Sequence, residues 1–203
     1  MTAAAIGLRS HSGWAALVAL SGAVESPAVL DRRRIEIADR RIDGSLQPYH
    51  AAEEMGLPKA EAYLARCTAA ADRLAQAALA DAVEGATGKG HEVVACGLLL
   101  ASGRPLPALA AILKSHALIH TADGEHFRAA LAHAAEGCGL PVLAVKEKDV
   151  LARAAKALGM PSARLERVVA EMGKPLGPPW RQDEKLATLA AWVALVEAPR
   201  KRR

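Results

Sequence analysis

The first twenty residues place two apolar stretches on either side of a short polar turn. Residues 3–8 and 14–20 are almost wholly apolar, and the polar stretch Arg9-Ser10-His11-Ser12-Gly13 separates them. Apolar runs joined by a few turn residues are typical of a β-hairpin. The sequence therefore predicts that the chain enters its fold through two antiparallel strands.

The remainder of the chain alternates between strand-like and helical segments. A third strand is predicted over residues 28–38, where alternation puts Arg33 on the face of Ile35 and puts Arg32 and Arg34 on the opposite face. A long helix is predicted from Pro58 to about Glu84, and a buried strand follows at 91–101. The later segments are predicted as helices at 107–114 and 124–136, a strand at 140–145, and helices at 149–158, 162–172 and 180–196.

The opening motif Ile6-Gly7-Leu8 resembles the first strand of the ribonuclease-H-like superfamily, which includes Holliday-junction resolvases. In that superfamily a hydrophobic-Gly-hydrophobic strand ends on a catalytic Asp. The resemblance implies an α/β fold with a five-stranded mixed sheet, three antiparallel strands then two parallel ones, flanked by helices. It suggests a bacterial protein in which residues 1–199 form a single domain and 200–203 form a basic tail.

The acidic residues expected of such a nuclease are missing from two of three positions. The superfamily's nucleases hold two divalent cations with carboxylates at the ends of strands one and four and in the last helix. The matching positions here are Arg9, a region at 97–102 without an acid, and Asp183 or Glu184. Because hard cations need several oxygen ligands, the sequence predicts no metal and no cofactor. A divalent-metal-dependent nuclease is kept as an alternative function.

A second resemblance covers residues 31–139 and concerns the middle domain of class-one release factors of eukaryotes and archaea. That domain has a Gly-Gly-Gln loop, a long helix and then a strand reading apolar-Ala-Gly-apolar-apolar-Ala-Gly-Ser. Here the loop reads Gly44-Ser45-Leu46-Gln47, and the strand at 94–103 reads VACGLLLASG. The resemblance implies a translation-associated factor that binds tRNA or ribosomes. Since only one Gly precedes Gln47, and two residues separate them, an ordinary turn is favoured over the peptidyl-tRNA chemistry.

The predicted topology brings several loop ends to one edge of the sheet, where ligands of α/β proteins usually bind. His11, Asp183 and Lys185 are the candidate catalytic residues, with His11 or Lys185 as the base. The candidate ligand-binding residues are Ser10, Ser12, Ser102, Arg104, Tyr49, His50 and His116, with Arg104 as a clamp for an anion.

The pair His116 and His120 has the four-residue spacing that would place both imidazoles on one face of a helix. With Glu125 such a pair could hold zinc. However, Thr121 to Gly124 is predicted to interrupt the helix, so His120 is expected beyond its end. Histidines in structural hydrogen bonds are therefore predicted here instead of a metal site.

Charge and cysteine content limit the partners and the compartment. The formal net charge is +4, and the last four residues, Arg200-Lys201-Arg202-Arg203, supply four positive charges, which leaves a neutral body. The three cysteines form no C-x-x-C pair, which fits a reducing cytoplasm. No apolar run is long enough to span a membrane, and a signal peptide is not indicated. We therefore expect a cytoplasmic protein that binds RNA or a small anionic ligand, with enzymatic activity left open.

Overall fold

Five strands form one mixed sheet in the computed structural model, which describes residues 1–101 and 105–198. The predicted basic tail at 200–203 and the candidate residues Ser102 and Arg104 lie outside those ranges. The sheet order is β3-β2-β1-β4-β5. The strands are β1 (Thr2–His11), β2 (Trp14–Ala23), β3 (Ser26–Glu36), β4 (His91–Leu100) and β5 (Val142–Lys146). β1, β2 and β3 pair antiparallel, whereas β4 and β5 continue the sheet parallel to β1.

The described part of the chain contains seven α-helices. They are α1 (Pro48–Ala52), α2 (Leu57–Gly88), α3 (Leu109–Ile112), α4 (His116–Gly137), α5 (Val150–Leu158), α6 (Ser162–Met172) and α7 (Gln182–Glu197). Of these, α2 and α4 pack on one face of the sheet and α7 packs on the other. Within the described ranges, no helix is both long and apolar enough to cross a membrane.

The opening hairpin turns at Gly13, whose φ of +80° is a conformation that favours glycine. The carbonyl of Gly13 accepts hydrogen bonds from the backbone N–H groups of Ile37 (2.8 Å) and Ala38 (3.1 Å), just after β3 ends. These bonds join the first turn to the chain leaving the sheet. The predicted hairpin is confirmed, and its turn lies at the carboxyl end of β1.

Alternation along β1 separates the two helical layers. Ile6 and Leu8 lie in the core formed with α2 and α4, where Phe127 and Leu131 of α4 are buried. Gly7 faces α7 instead, and a Cβ added there would lie 1.9 Å from the carbonyl oxygen of Ala187. The helix therefore lies directly on the sheet backbone. Since Arg9 follows Gly7 by two positions, it also faces α7.

The arginines of β3 are divided between the two faces, as the alternation predicts. Arg33 pairs with Asp31 and with Asp81 of α2. Arg32 reaches the other side of the sheet, where it donates hydrogen bonds to the carbonyls of Gly177 (2.9 Å) and Pro179. Arg32 thereby fastens the segment that leads into α7.

The predicted interruption at Thr121 to Gly124 is wrong, because α4 runs without a break from His116 to Gly137. Asp123 explains the difference. Its carboxylate is buried and accepts a hydrogen bond from the backbone N–H of Tyr49 (2.7 Å), so a residue typical of a cap is used inside a helix. His120 consequently lies within the first turns of α4.

Candidate functional site

Arg9 is the centre of an ion-paired cluster at the carboxyl end of β1. Its guanidinium contacts Glu147 twice, from Nε to Oε2 at 3.0 Å and from Nη2 to Oε1 at 2.9 Å. The remaining Nη1 donates to Oδ1 of Asp183. We name Arg9, His11, Glu147 and Asp183 the Arg9 centre.

Three separate elements build this centre. Arg9 and His11 alternate along β1 and so share the face toward α7. Glu147 begins the short 3-10 segment Glu147–Asp149 that directly follows β5, and Asp183 lies in the first turn of α7. The carboxyl ends of β1 and β5 lie at the same edge because both strands run parallel to β4. The long Arg9 side chain spans the distance between them.

His11 is held between the two charged partners of the centre. Its Nε2 lies 2.8 Å from Nη1 of Arg9 and 2.9 Å from Oδ1 of Asp183. Burial lowers the pKa of His11 below 6.5, and the nearby charge of Arg9 lowers it further. His11 is therefore mainly neutral at pH 7, and Nε2 either accepts from Arg9 or donates to Asp183. His11, the candidate base, therefore has its Nε2 directed at the ion pair between Arg9 and Asp183.

A stack of rings and a guanidinium extends from the Arg9 centre to the surface. The imidazole of His11 stacks on the indole of Trp14, with ring centroids 4.2 Å apart and an interplanar angle of 8°. The guanidinium of Arg34 lies 4.0 Å from the Trp14 ring centroid, and the Arg34 side chain is 49% exposed. We name His11, Trp14 and Arg34 the edge stack.

A cleft of about 260 Å³ adjoins the Arg9 centre between α5, α6 and α7. Glu147 and Glu166 line it together with Lys185 and several apolar residues. The cleft therefore carries two carboxylates against one ammonium, and the excess negative charge disfavours a small anion there. Lys185 is near the Arg9 centre, as the topology predicts, and its role as a base stays a prediction.

The flanking candidates His50 and His116 form a second cluster between α1 and the first turns of α4. His50 of α1 lies against His116 and His120 of α4, with ring centroids 5.2 Å and 4.3 Å away. One ligating atom from each histidine lies within 4.8 Å of the others. Nδ1 of His50 is also 2.5 Å from Oδ2 of Asp123. We name His50, His116 and His120 the histidine cluster.

The candidates Ser10, Ser12 and Tyr49 do not take part in the Arg9 centre or in the histidine cluster. Ser10 follows the alternation onto the face opposite Arg9, and its hydroxyl donates only a long bond of 3.5 Å to the carbonyl of His11. Ser12 is exposed in the hairpin turn. Tyr49 contacts the edge of the His126 ring, 6.3 Å between centroids, and burial raises the pKa of its phenol. Their binding roles stay predictions.

Sequence reasoning missed Glu147, Trp14 and the participation of His120. Glu147 directly follows a short apolar strand, a position at which α/β proteins commonly place site residues, and this signal could have found it. Trp14 begins an apolar strand, and nothing in the sequence distinguishes it there from a core residue. His120 was placed beyond a helix end that does not exist.

Similarity to known proteins is visible in the structure alone. No protein-family model and no curated protein sequence matches this chain. A structure of RuvC from T. thermophilus in complex with a Holliday junction substrate superposes with a TM-score of 0.53 and 13% identity, over 95% of this chain and 92% of that chain. A second Thermus thermophilus RuvC structure gives a TM-score of 0.49 and 13% identity, over 95% and 93% of the two chains. This chain has a ribonuclease-H-like fold.

The predicted fold class is thereby confirmed, with its three antiparallel and two parallel strands and its flanking helices. The fold shows which position of the superfamily Arg9 occupies. Arg9 stands at the end of the first strand, where the superfamily resemblance expects an Asp, and it pairs with the acids that approach from β5 and α7. A guanidinium repels divalent cations, so the position of Arg9 disfavours a cation between Glu147 and Asp183.

Proposed function

We propose that this protein binds nucleic acid, RNA in the first instance, at the edge where β1 ends and β2 begins, and that it does not cut its ligand. The observation that carries the proposal is the edge stack, which lies beside a centre filled by the guanidinium of Arg9. Localisation in the cytoplasm remains part of this proposal.

The edge stack has the chemistry of a base-binding platform. RNA-binding proteins commonly stack unpaired bases on aromatic rings and on the guanidinium planes of arginine. Arg34 is the exposed outer member, with Trp14 and His11 beneath it. The Arg34 pair with Glu36 is half-exposed and therefore weak, so a base can compete for Arg34 at little cost.

The charges favour contacts at the periphery over contacts at the Arg9 centre. With His11 neutral, one guanidinium and two carboxylates leave the centre with a net charge of −1, which disfavours a phosphate. Arg34 and Arg40 have exposed cationic heads on the β3 side. The solved T. thermophilus RuvC structure contains a Holliday junction substrate. Nucleic acid is accordingly the ligand class we propose for this scaffold.

The proposal that the ligand is not cut is supported by the residues that would have to hold metal. Two cations about 4 Å apart require several carboxylate oxygens. The sequence at 97–107 has no acid, and Arg9 already engages both Glu147 and Asp183. The Arg9 centre therefore lacks the ligands for two-metal hydrolysis.

Binding is tested by fluorescence anisotropy with labelled single-stranded RNA, tRNA, duplex DNA and a four-way DNA junction at low salt, where phosphate contacts are strongest. Trp14→Ala and Arg34→Ala should each weaken RNA binding roughly tenfold, since stacking contributes about 1–3 kcal/mol per base. Arg153→Ala is the matched control, because Arg153 pairs with Glu197 at the opposite end of α7. Equal RNA affinity in the wild type and all three variants, or no binding by the wild type, would contradict the proposal.

Two further experiments distinguish this proposal from the nuclease and the translation-associated alternatives. Incubation with Mn²⁺ and junction or RNA–DNA hybrid substrates should give no products; cleavage that Asp183→Ala abolishes would establish the nuclease alternative and overturn ours. Retention on ribosomes at low salt, with tRNA preferred over other RNA, would instead indicate the translation-associated alternative.

A further inference from the structure

We infer that the histidine cluster is a binding site for one divalent transition-metal ion of the zinc type, with a ligand set of His50, His116 and His120. This inference does not rest on nucleic-acid binding. The cluster joins α1 to the start of α4, and α4 packs with α2 against Ile6 and Leu8 of β1, whereas the Arg9 centre faces α7.

The spacing of the rings is close to what a zinc ion requires. Nε2 of His116 and Nε2 of His120 lie 3.1 Å apart, one helical turn from each other along α4. Tetrahedral zinc with Zn–N bonds of about 2.0–2.1 Å separates its nitrogen ligands by about 3.4 Å. The ligating atoms of all three histidines already lie within 4.8 Å of one another, so rotations of exposed side chains can complete the geometry.

Asp123 prepares His50 for the role of a ligand. Its Oδ2 lies 2.5 Å from Nδ1 of His50, which assigns the proton to Nδ1 and leaves the lone pair of Nε2 available. Metal-binding histidines regularly donate their second nitrogen to a carboxylate in this way. Oδ1 of Asp123 also accepts from the backbone N–H of Tyr49 (2.7 Å), and its side chain is only 7% exposed. The orienting carboxylate is therefore fixed by the fold.

The identity of the metal follows from the ligands. Three imidazoles suit Zn²⁺, Co²⁺, Ni²⁺ and Cu²⁺, whereas Mg²⁺ and Ca²⁺ prefer oxygen ligands. A ligand set of three histidines leaves the fourth tetrahedral position to water or to an exogenous ligand. His50 comes from α1 and the other two histidines come from α4. A bound ion would therefore crosslink α1 to α4 and stabilise the folded chain by mass action.

The experiment is a titration of the protein, free of any histidine tag, with Zn²⁺ by calorimetry and with Co²⁺ by visible absorption. One ion per chain and the intense visible bands of tetrahedral Co²⁺ are expected, together with a rise in Tm on addition of Zn²⁺. His116→Gln and His120→Gln should each lower Zn²⁺ affinity at least about tenfold and remove the Co²⁺ bands. Both residues are exposed, so the variants should remain folded.

His133→Gln is the matched control, since His133 is an exposed histidine of the same helix that pairs with Asp72 at 3.3 Å. It should bind Zn²⁺ like the wild type. The inference is overturned if His133→Gln loses affinity as much as His116→Gln, if binding is not stoichiometric, or if the Co²⁺ spectrum stays that of the hydrated ion. Loss of RNA binding in Trp14→Ala with Zn²⁺ binding retained would show that the two sites are independent.

Discussion

Replacing Arg9 with Met tests whether the Arg9 centre is an integral part of the fold. Methionine keeps an unbranched side chain that fills the space of the Arg9 stem but removes the cation that faces Glu147 and Asp183. Two carboxylates would then face each other without a counter-charge. We expect the variant to fold with lower stability, because those carboxylates cannot both move fully into water.

The expected loss follows from how far the three side chains are exposed: 18% for Arg9, 26% for Asp183 and 41% for Glu147. Removing one partner of a fully buried pair costs about 3–5 kcal/mol, and an exposed pair contributes about 0.2–1 kcal/mol. The Arg9 centre lies between these limits, so Arg9→Met should lower the free energy of unfolding by about 2–3 kcal/mol. For a chain of this size that lowers Tm by roughly 5–10 °C.

Urea denaturation at pH 7 measures the loss, with Arg153→Met as the control. Arg153 pairs with Glu197 in a similar two-contact arrangement, but its side chain is 37% exposed, so less than about 1 kcal/mol is expected. NMR gives a second readout, because the charge of Arg9 helps to lower the pKa of His11, which should rise in Arg9→Met. Equal losses of stability in both variants, together with an unchanged His11 pKa, would show that the Arg9 ion pairs do not stabilise the fold in this way.

Two further perturbations test packing and pH dependence. Gly97→Ala should lower the free energy of unfolding measured with urea by about 3 kcal/mol, since its Cβ would lie 2.2 Å from the carbonyl oxygen of Ala190. Gly85→Ala in α2, whose Cβ meets nothing within 4 Å, should raise that free energy by about 0.5–1 kcal/mol. The opposite order of the two variants would contradict this packing. Burial lowers the pKa of His126 below 6.5, so the unfolded chain takes up the proton first and stability should fall as pH drops below 6.5. His126→Leu should reduce that fall between about pH 7 and pH 5, and an unchanged slope would show that His126 does not contribute to it.

The sequence predicted the fold well because its signals are local. The polar turn around Gly13 indicates the hairpin, and the apolar run from Val93 to Leu100 indicates a central strand. Alternation placed Arg32 and Arg34 on one face of β3 and Arg33 on the other, and their partners confirm this division. Such periodicities depend on backbone geometry within one element, so a single sequence contains them.

The candidate site was predicted less completely. Asp183 and His11 were assigned to one site and are in contact, because the superfamily resemblance fixes where α7 begins relative to β1. Glu147 was not placed there: its position directly after β5 was a usable signal, but its pairing with Arg9 depends on the register of β5 and on the reach of the Arg9 side chain. The predicted break at Thr121 to Gly124 failed because propensity is a weak prior and a buried tertiary contact of Asp123 overrides it.

Local sequence patterns are sufficient to predict that this chain forms a mixed sheet covered by helices and that an arginine stands at the end of the first strand. The contacts of that arginine depend on tertiary packing, which pairs it with two carboxylates from distant parts of the chain. Tertiary packing also brings His50 to His116 and His120, which are more than sixty positions away. The physical reason is that strand and helix patterns arise from neighbouring residues, whereas ion pairs and ligand sets form where packing brings distant side chains within a few ångströms.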